Sequence, residues 1–283
     1  MRLAVLLLLF PALAFSQSKI EAPVDSTPAA DPARPTVTNP AHIPPPGYLQ
    51  YEQGFVQAND SPNLQRQFSI VQTTKLSLIH HFMLQVQSQP IAHSVLPPAT
   101  NDTGDLILGA QVLFTDREEG HSRTPTLALA YNRRVRTGTS PDLDIGSYSQ
   151  GLTFLGSGTN YGIHYDANVV FNEQQSINLA GNAIHRAQFG QSLALTRQLT
   201  KNASFSGELW HFTQPFLSAS RNNFPVDRAN AVGLLFAAGY TLRPNLVLDA
   251  GFDHGLTSTS TNWQGFAGFT YLLPHRLFPA RKH

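Results

Sequence analysis

Between Gly47 and Leu273 apolar residues return at every second position, in runs of about ten residues separated by turn signals. Successive side chains of a strand point to opposite faces, so each run describes a strand with one apolar and one polar face. In Tyr161–Phe171, residues Tyr161, Ile163, Tyr165, Ala167, Val169 and Phe171 share one face, and Gly162, His164, Asp166 and Asn168 share the other. In Asp105–Thr115, Leu106, Leu108, Ala110, Val112 and Phe114 oppose Asp105, Gly109, Gln111 and Thr115. Leu246, Leu248, Ala250 and Phe252 oppose Asp249, Gly251 and Asp253. Trp263, Ala267, Phe269 and Tyr271 oppose Asn262, Gln264 and Thr270. Few stretches carry the i, i+3, i+4, i+7 spacing of a helix, so the expected class is all-β.

The other candidate strands are Tyr48–Gln57, Gln67–Leu78, His81–Gln89, Thr126–Val135, Leu143–Leu155, Ser176–Arg186, Gln191–Leu199, Ala203–Thr213 and Ala229–Tyr240, which brings the total to thirteen. Single-chain bacterial barrels use even numbers. Leu143–Leu155, interrupted by Gly146 and Gly151, is the weakest, so about twelve strands are expected. Arg243-Pro244-Asn245 and Thr200-Lys201-Asn202 read as short turns, as does His80-His81. Thr115–Thr124 and Pro215–Arg228 read as longer outer loops.

Two features separate a transmembrane antiparallel up-and-down β-barrel from a soluble periplasmic sandwich, the alternative with this pattern. Aromatic residues stand near strand ends, at Tyr48, Phe114, Tyr161, Phe171, Phe212, Tyr240 and Tyr271, where girdles form at the two membrane interfaces. Carboxylates stand mid-strand on the polar face, at Glu52, Asp166, Glu208, Asp249 and Asp253. Against lipid each would be costly, so they belong to an aqueous lumen. Composition agrees: charged residues make up 13%, against about 25% in an average soluble protein, and Gln, Asn, Ser and Thr carry the polarity. The chain has no cysteine, which excludes disulfides and thiol chemistry, and a net charge of +1 gives no field for nucleic acid.

Residues 1–16 have the order of a cleaved signal peptide: Arg2, the apolar Leu3–Phe10, then small residues around Ala14 and Ser16. Export to the outer membrane follows. Residues 17–46 are Pro-rich and are expected to form a flexible periplasmic lead-in; a plug or partner-binding arm is the alternative. Residues 47–273 form the barrel and 274–283 a C-terminal tail. The tail departs from barrels that finish on a strand-end aromatic, although Phe278 is available for that role.

Arg34-Pro35 followed by Gly47-Tyr48-Leu49-Gln50-Tyr51-Glu52 resembles the opening of the outer-membrane family linked to the meta-pathway of phenol degradation. Gly104-Asp105-Leu106-Ile107-Leu108-Gly109 is similar to its glycine-aspartate strand start. Leu199–Leu209 and Leu242–Gly251 resemble its closing hairpins. The resemblance, over about residues 34–273, implies a transporter or channel for hydrophobic or aromatic compounds, with no settled catalytic residues.

The lumen-facing polar candidates are Glu52, Lys75, Arg134, His164, Asp166, Glu208, Asp249 and Asp253. Glu52 and Glu208 either form a ring of charge that selects solutes or pair with Lys75 or Arg134 and rigidify a narrow lumen. His164 and Asp166 lie two apart on one face and can share a proton or ion. Asp249 and Asp253, four apart, are roughly 13 Å from each other, too far for one metal unaided. No metal site, cofactor or catalytic residue is expected. A Ser-His-acid constellation like that of an outer-membrane lipid hydrolase is a minor alternative, because no G-x-S-x-G elbow is present. The expected partners are outer-membrane lipid, the barrel-assembly machinery and small solutes, with no nucleic acid; these residues set no oligomeric state. A closed structural or partner-binding barrel is the competing reading of function.

Overall fold

The computed structural model of the chain describes residues 28–95, 100–115, 125–140, 147–177, 182–214, 218–219, 225–226 and 229–279. The expected signal peptide lies outside the described residues. Twelve long strands build the wall: β1 (Leu49–Asn59), β2 (Arg66–Ile79), β3 (Phe82–Val95), β4 (Leu106–Thr115), β5 (Thr126–Val135), β6 (Ser147–Asn160), β7 (Ile163–Ile177), β8 (Ala183–Gln198), β9 (Ala203–Gln214), β10 (Ala229–Arg243), β11 (Leu246–Gly255) and β12 (Trp263–Leu272). Every strand pairs antiparallel with its sequence neighbours. The β1–β12 pairing closes the sheet, with Gln50 opposite Leu272 and Asn59 opposite Trp263. Closure removes every sheet edge, which a membrane requires because lipid cannot satisfy an unpaired peptide group. Thr100–Asp102 adds a short strand on β3, and Ser218–Ala219 pairs with Pro225–Val226 outside the wall.

The alternation read from sequence becomes two surfaces. Leu108, Leu127, Phe154, Val169, Leu193, Leu209, Phe236 and Phe252 all project outward and are exposed, Phe154 at 51%. Gln111, Thr153, Asn168, Ser192, Glu208, Asp249 and Asp253, at alternate positions along the same strands, are buried within the barrel. An exposed apolar belt around a buried polar interior inverts a soluble domain and fits lipid outside. Near the turn-rich end Phe114, Tyr240 and Tyr271 stand on the outer face. Near the opposite end Trp263 stacks on His254 with ring centroids 4.1 Å apart. Two expected girdle members lie inside instead: Tyr48 is buried under the Arg276 guanidinium, and Phe212 turns inward to lie over Gly190.

The count of twelve is observed, but the segment to discard is a different one. Leu143–Leu155 overlaps a true strand, β6, whereas Ser176–Arg186 straddles the junction of β7 and β8, with residues 178–181 outside the described ones. Gly151 does not interrupt β6, because the side chain of Asn172 on β7 occupies the space where its Cβ would stand. Tyr161 and Gly162 are not part of a strand but the two-residue turn between β6 and β7, with φ of 50° and 74°. Positive φ at both central positions matches the twist of the flanking strands, and Gly162 adopts it without a steric penalty. His80-His81, Pro244-Asn245 and residues 199–202 turn the chain at this same end, to which Leu49 and Leu272 also belong. The 116–124 connection, expected among the outer loops, joins strands whose termini place it at the turn end too; its own residues lie outside the described ones.

Beyond β12 the tail folds back under the turn end. The Leu277 amide donates to the Gly47 carbonyl at 2.8 Å, and Leu273 N–H to the Leu49 carbonyl at 2.9 Å. Residues 28–46, read from sequence as a periplasmic lead-in, lie inside the barrel. Thr38 and Ala41 are fully buried, and the segment touches inward side chains of β1, β4, β6, β8, β9 and β11. Pro28, Pro32, Pro35, Pro40 and Pro44–Pro46 deny it a regular ladder, so its remaining amides turn to side chains of the wall.

Candidate functional site

The lumen and the segment crossing it are one site. The chain enters at the turn end, where the Ala30 amide donates to the Pro244 carbonyl at 2.8 Å. The Asp31 backbone exchanges two hydrogen bonds with the Gln50 side chain, at 3.0 and 2.6 Å. Arg34 reaches Asp249, with Nη2 and Oδ1 3.5 Å apart. At mid-height the Val37 and Thr38 amides each donate to the Glu208 carboxylate at 2.8 Å, and Thr38 Oγ1 adds a third bond at 2.6 Å. The chain then crosses to the other wall. Ala41 N–H donates to Ser157 Oγ at 2.7 Å, and Gln111 Nε2 donates to the Ala41 carbonyl at 2.8 Å. Ala41 packs on Leu113, Ala128, Ala130 and Leu155, an apolar patch on the inner wall. From Gly47, whose amide donates to the Ser77 carbonyl, the chain starts β1.

Each predicted lumen residue can now be placed. Glu52 is 2% exposed and pairs with Lys75 Nζ at 2.6 Å, one of the two cations weighed from sequence as partners for the glutamates. It also accepts from Gln50 Nε2 at 2.8 Å. Arg134 pairs with neither glutamate; it meets Asp105 at 2.7 Å near the loop end, where Asp105 also accepts from the Thr137 and Gly138 amides. Glu208 is held by backbone amides and a hydroxyl rather than by a cation. Asp249 and Asp253 face inward but have separate partners, Arg34 and Trp210 Nε1, the latter at 3.0 Å. His164 Nε2 lies 3.3 Å from Asp166 Oδ1, which also accepts from Ser157 Oγ.

Ser157, Asp166 and His164 therefore form a chain of contacts, but in an order that does not suit nucleophilic catalysis. A catalytic histidine stands between hydroxyl and carboxylate to take the proton. Here the aspartate is in the middle, and Ser157 is fully buried under Ala41.

Carboxylates are denser on one side of the bore. Glu208, Asp249, Asp253 and Glu52 occupy the arc β9–β11–β1. Gln85, Gln111, Asn132, Asn168, Asn172 and Gln188 line the arc β3–β8, together with Asp166 on β7 and Arg134 on β5. Amides there bond one another across strands, as Gln85 to Asn132 at 2.7 Å and Asn172 to Gln188 at 3.0 Å. The inward aromatics lie over glycines: a Cβ on Gly233 would overlap the Trp210 ring, and one on Gly190 the Phe212 ring.

Sequence reasoning missed Arg34, Thr38, Ala41, Ser157 and Trp210 as members of this site. The available signal was Arg34 as the one arginine of the Pro-rich residues 17–46.

A family signature described as "Putative MetA-pathway of phenol degradation" matches residues 33–273. The chain belongs to this family. The family match begins within the lumen segment and ends one residue past β12, so segment and wall are matched as one unit. Among solved structures, an outer-membrane channel from Pseudomonas putida is similar at 12% identity and a TM-score of 0.59, covering 86% of this chain and 99% of that one. The NanC porin is similar at 10% identity and a TM-score of 0.51, covering 79% and 98%. At such identities the likeness is one of fold. No curated protein sequence matches the chain at a significant level. Family, closed wall and exposed apolar belt together make the protein an outer-membrane β-barrel.

Proposed function

We propose that this barrel is a non-enzymatic channel that admits small solutes across the outer membrane, through a lumen restricted by its own residues 28–46. The observation that carries the reading is the polar inner wall of a closed twelve-stranded barrel, crossed by a segment held mainly by hydrogen bonds. A wall of twelve strands is intermediate between packed small barrels and open porins, so whatever stands in the bore sets its permeability. Hydrogen bonds to protein groups replace bonds to water at little net cost, so a segment secured this way can be released. The turn end, carrying the chain entry into the barrel, faces the periplasm by the usual pattern of such barrels. Insertion uses the barrel-assembly machinery, and lipid surrounds the apolar belt.

The solutes are small and able to hydrogen-bond. Hydroxylated aromatics suit the family description, and Trp210 and Phe212 are the inward rings they would meet. The segment inside the lumen also favours a second reading, a closed structural or partner-binding barrel. Planar-bilayer recording of the full chain and of a chain lacking residues 17–46 separates the two. A channel gives discrete conductance steps that grow on deletion. A closed barrel gives none from the full chain, and deletion then abolishes binding of its partner.

A further inference from the structure

We infer that the inner wall carries a binding notch for guanidinium-type cations, occupied in this structure by the protein's own Arg34. The notch is built into the register. Gly54 on β1 is the partner of Gly268 on β12, and Gly268 is the partner of Asp249 on β11, so the three form one row across adjacent strands. All three positions face the lumen. Strands lie about 4.8 Å apart, so two neighbouring glycines leave a flat floor of about that width, the scale of one planar guanidinium. The fit is close: a Cβ on Gly54 would overlap the Arg34 guanidinium, and one on Gly268 would stand 3.0 Å from Arg34 Nε.

The carboxylate end of the row is under-used. Arg34 meets Asp249 through a single 3.5 Å contact, at the outer limit for a hydrogen bond. Among the described residues Asp249 Oδ2 and Arg34 Nε have no hydrogen-bond partner, although the Asp249 side chain is only 2% exposed. Arginine forks and carboxylates pair best through two parallel bonds, a geometry that the tether through the Arg34 backbone prevents. A free alkylguanidinium has no tether and can use both oxygens. Arg34 is thus an intramolecular competitor, and a small guanidinium solute displaces it and frees the segment that ends at Gly47.

This inference deepens the channel reading, and its test separates the two. The full chain carrying Arg34→Ala is purified folded and tested with millimolar methylguanidinium, with urea as the neutral isostere. Binding is read as a rise in the unfolding midpoint in detergent, which needs no conductance. The expected result is a rise of several degrees with methylguanidinium and none with urea, lost when Asp249→Asn is added. Gly54→Ala in the same background, a methyl that would meet only the space of the Arg34 guanidinium, also abolishes it and stands in if Asp249→Asn does not fold. In bilayers, Arg34→Ala conducts more than the native chain, and methylguanidinium blocks that gain. A midpoint shift without conductance leaves the notch standing and removes the channel. An equal response to urea, or a shift that survives both second substitutions, overturns the notch.

Discussion

Thr38 and Glu208 are 170 residues apart in sequence and joined by two hydrogen bonds, from the Thr38 amide at 2.8 Å and its hydroxyl at 2.6 Å. Both end on Oε1, while Oε2 accepts the Val37 amide. One carboxylate thus gathers the donors of the lumen segment at mid-height.

Glu208→Gln replaces one acceptor oxygen with an amide that faces other donors, so the segment should loosen by roughly 1.5–3 kcal/mol, the range for hydrogen bonds to a charged group. The chain has no native cysteine. Ala41→Cys, at a fully buried position, therefore reports segment release through its rate of thiol labelling. Labelling should accelerate at least about tenfold in the Glu208→Gln background; an unchanged rate would show that Glu208 is not the latch.

The Glu52–Lys75 pair is buried on both sides. Removing one partner strands a charge and costs about 3–5 kcal/mol, whereas removing both costs much less. Lys75→Met should lower the unfolding midpoint sharply, and Glu52→Gln/Lys75→Met should recover most of the loss. Additive losses would place the pair in water.

Phe154 and Asn132 point in opposite directions on adjacent strands, Phe154 to the belt and Asn132 to the lumen. Phe154→Lys should cost about 2–4 kcal/mol of folding into lipid vesicles if it sits near the bilayer midplane. Asn132→Lys should leave the folded fraction, measured by heat-modifiable gel mobility, close to native. Equal effects from the two would refute the inside-out assignment.

The chain's two tryptophans report opposite sides of the wall. Trp263 is 45% exposed on the outer face, and Trp210 is buried against Gly233 and Asp253. In vesicles of lipids brominated along their acyl chains, emission from a Trp210→Phe chain should be strongly quenched and that from a Trp263→Phe chain should not. Strong quenching of Trp210 would mean that it faces lipid.

Much of the wall was legible before the structure, because alternation is local: the faces of β4, β7, β11 and β12 follow from counting residues two apart. Placing carboxylates on the polar face rests on the same count, but which cation meets which glutamate stayed open between Lys75 and Arg134 until the strands were in register. Glycine misled the reading of Leu143–Leu155, where an Asn172 side chain from the next strand fills the space that looked like a break.

The sequence by itself determined an all-β chain whose strands carry an apolar and a polar face, since a strand's geometry converts period two into two surfaces without reference to any partner. It could not determine what stands inside the bore. Residues 28–46 have no periodicity to read, and their position depends on bonds to Gln50, Ser157, Glu208 and Asp249, which become neighbours only when the sheet closes. The Gly54–Gly268–Asp249 row likewise exists only through register, because its members are 214 and 19 residues apart along the chain and one strand apart across the wall.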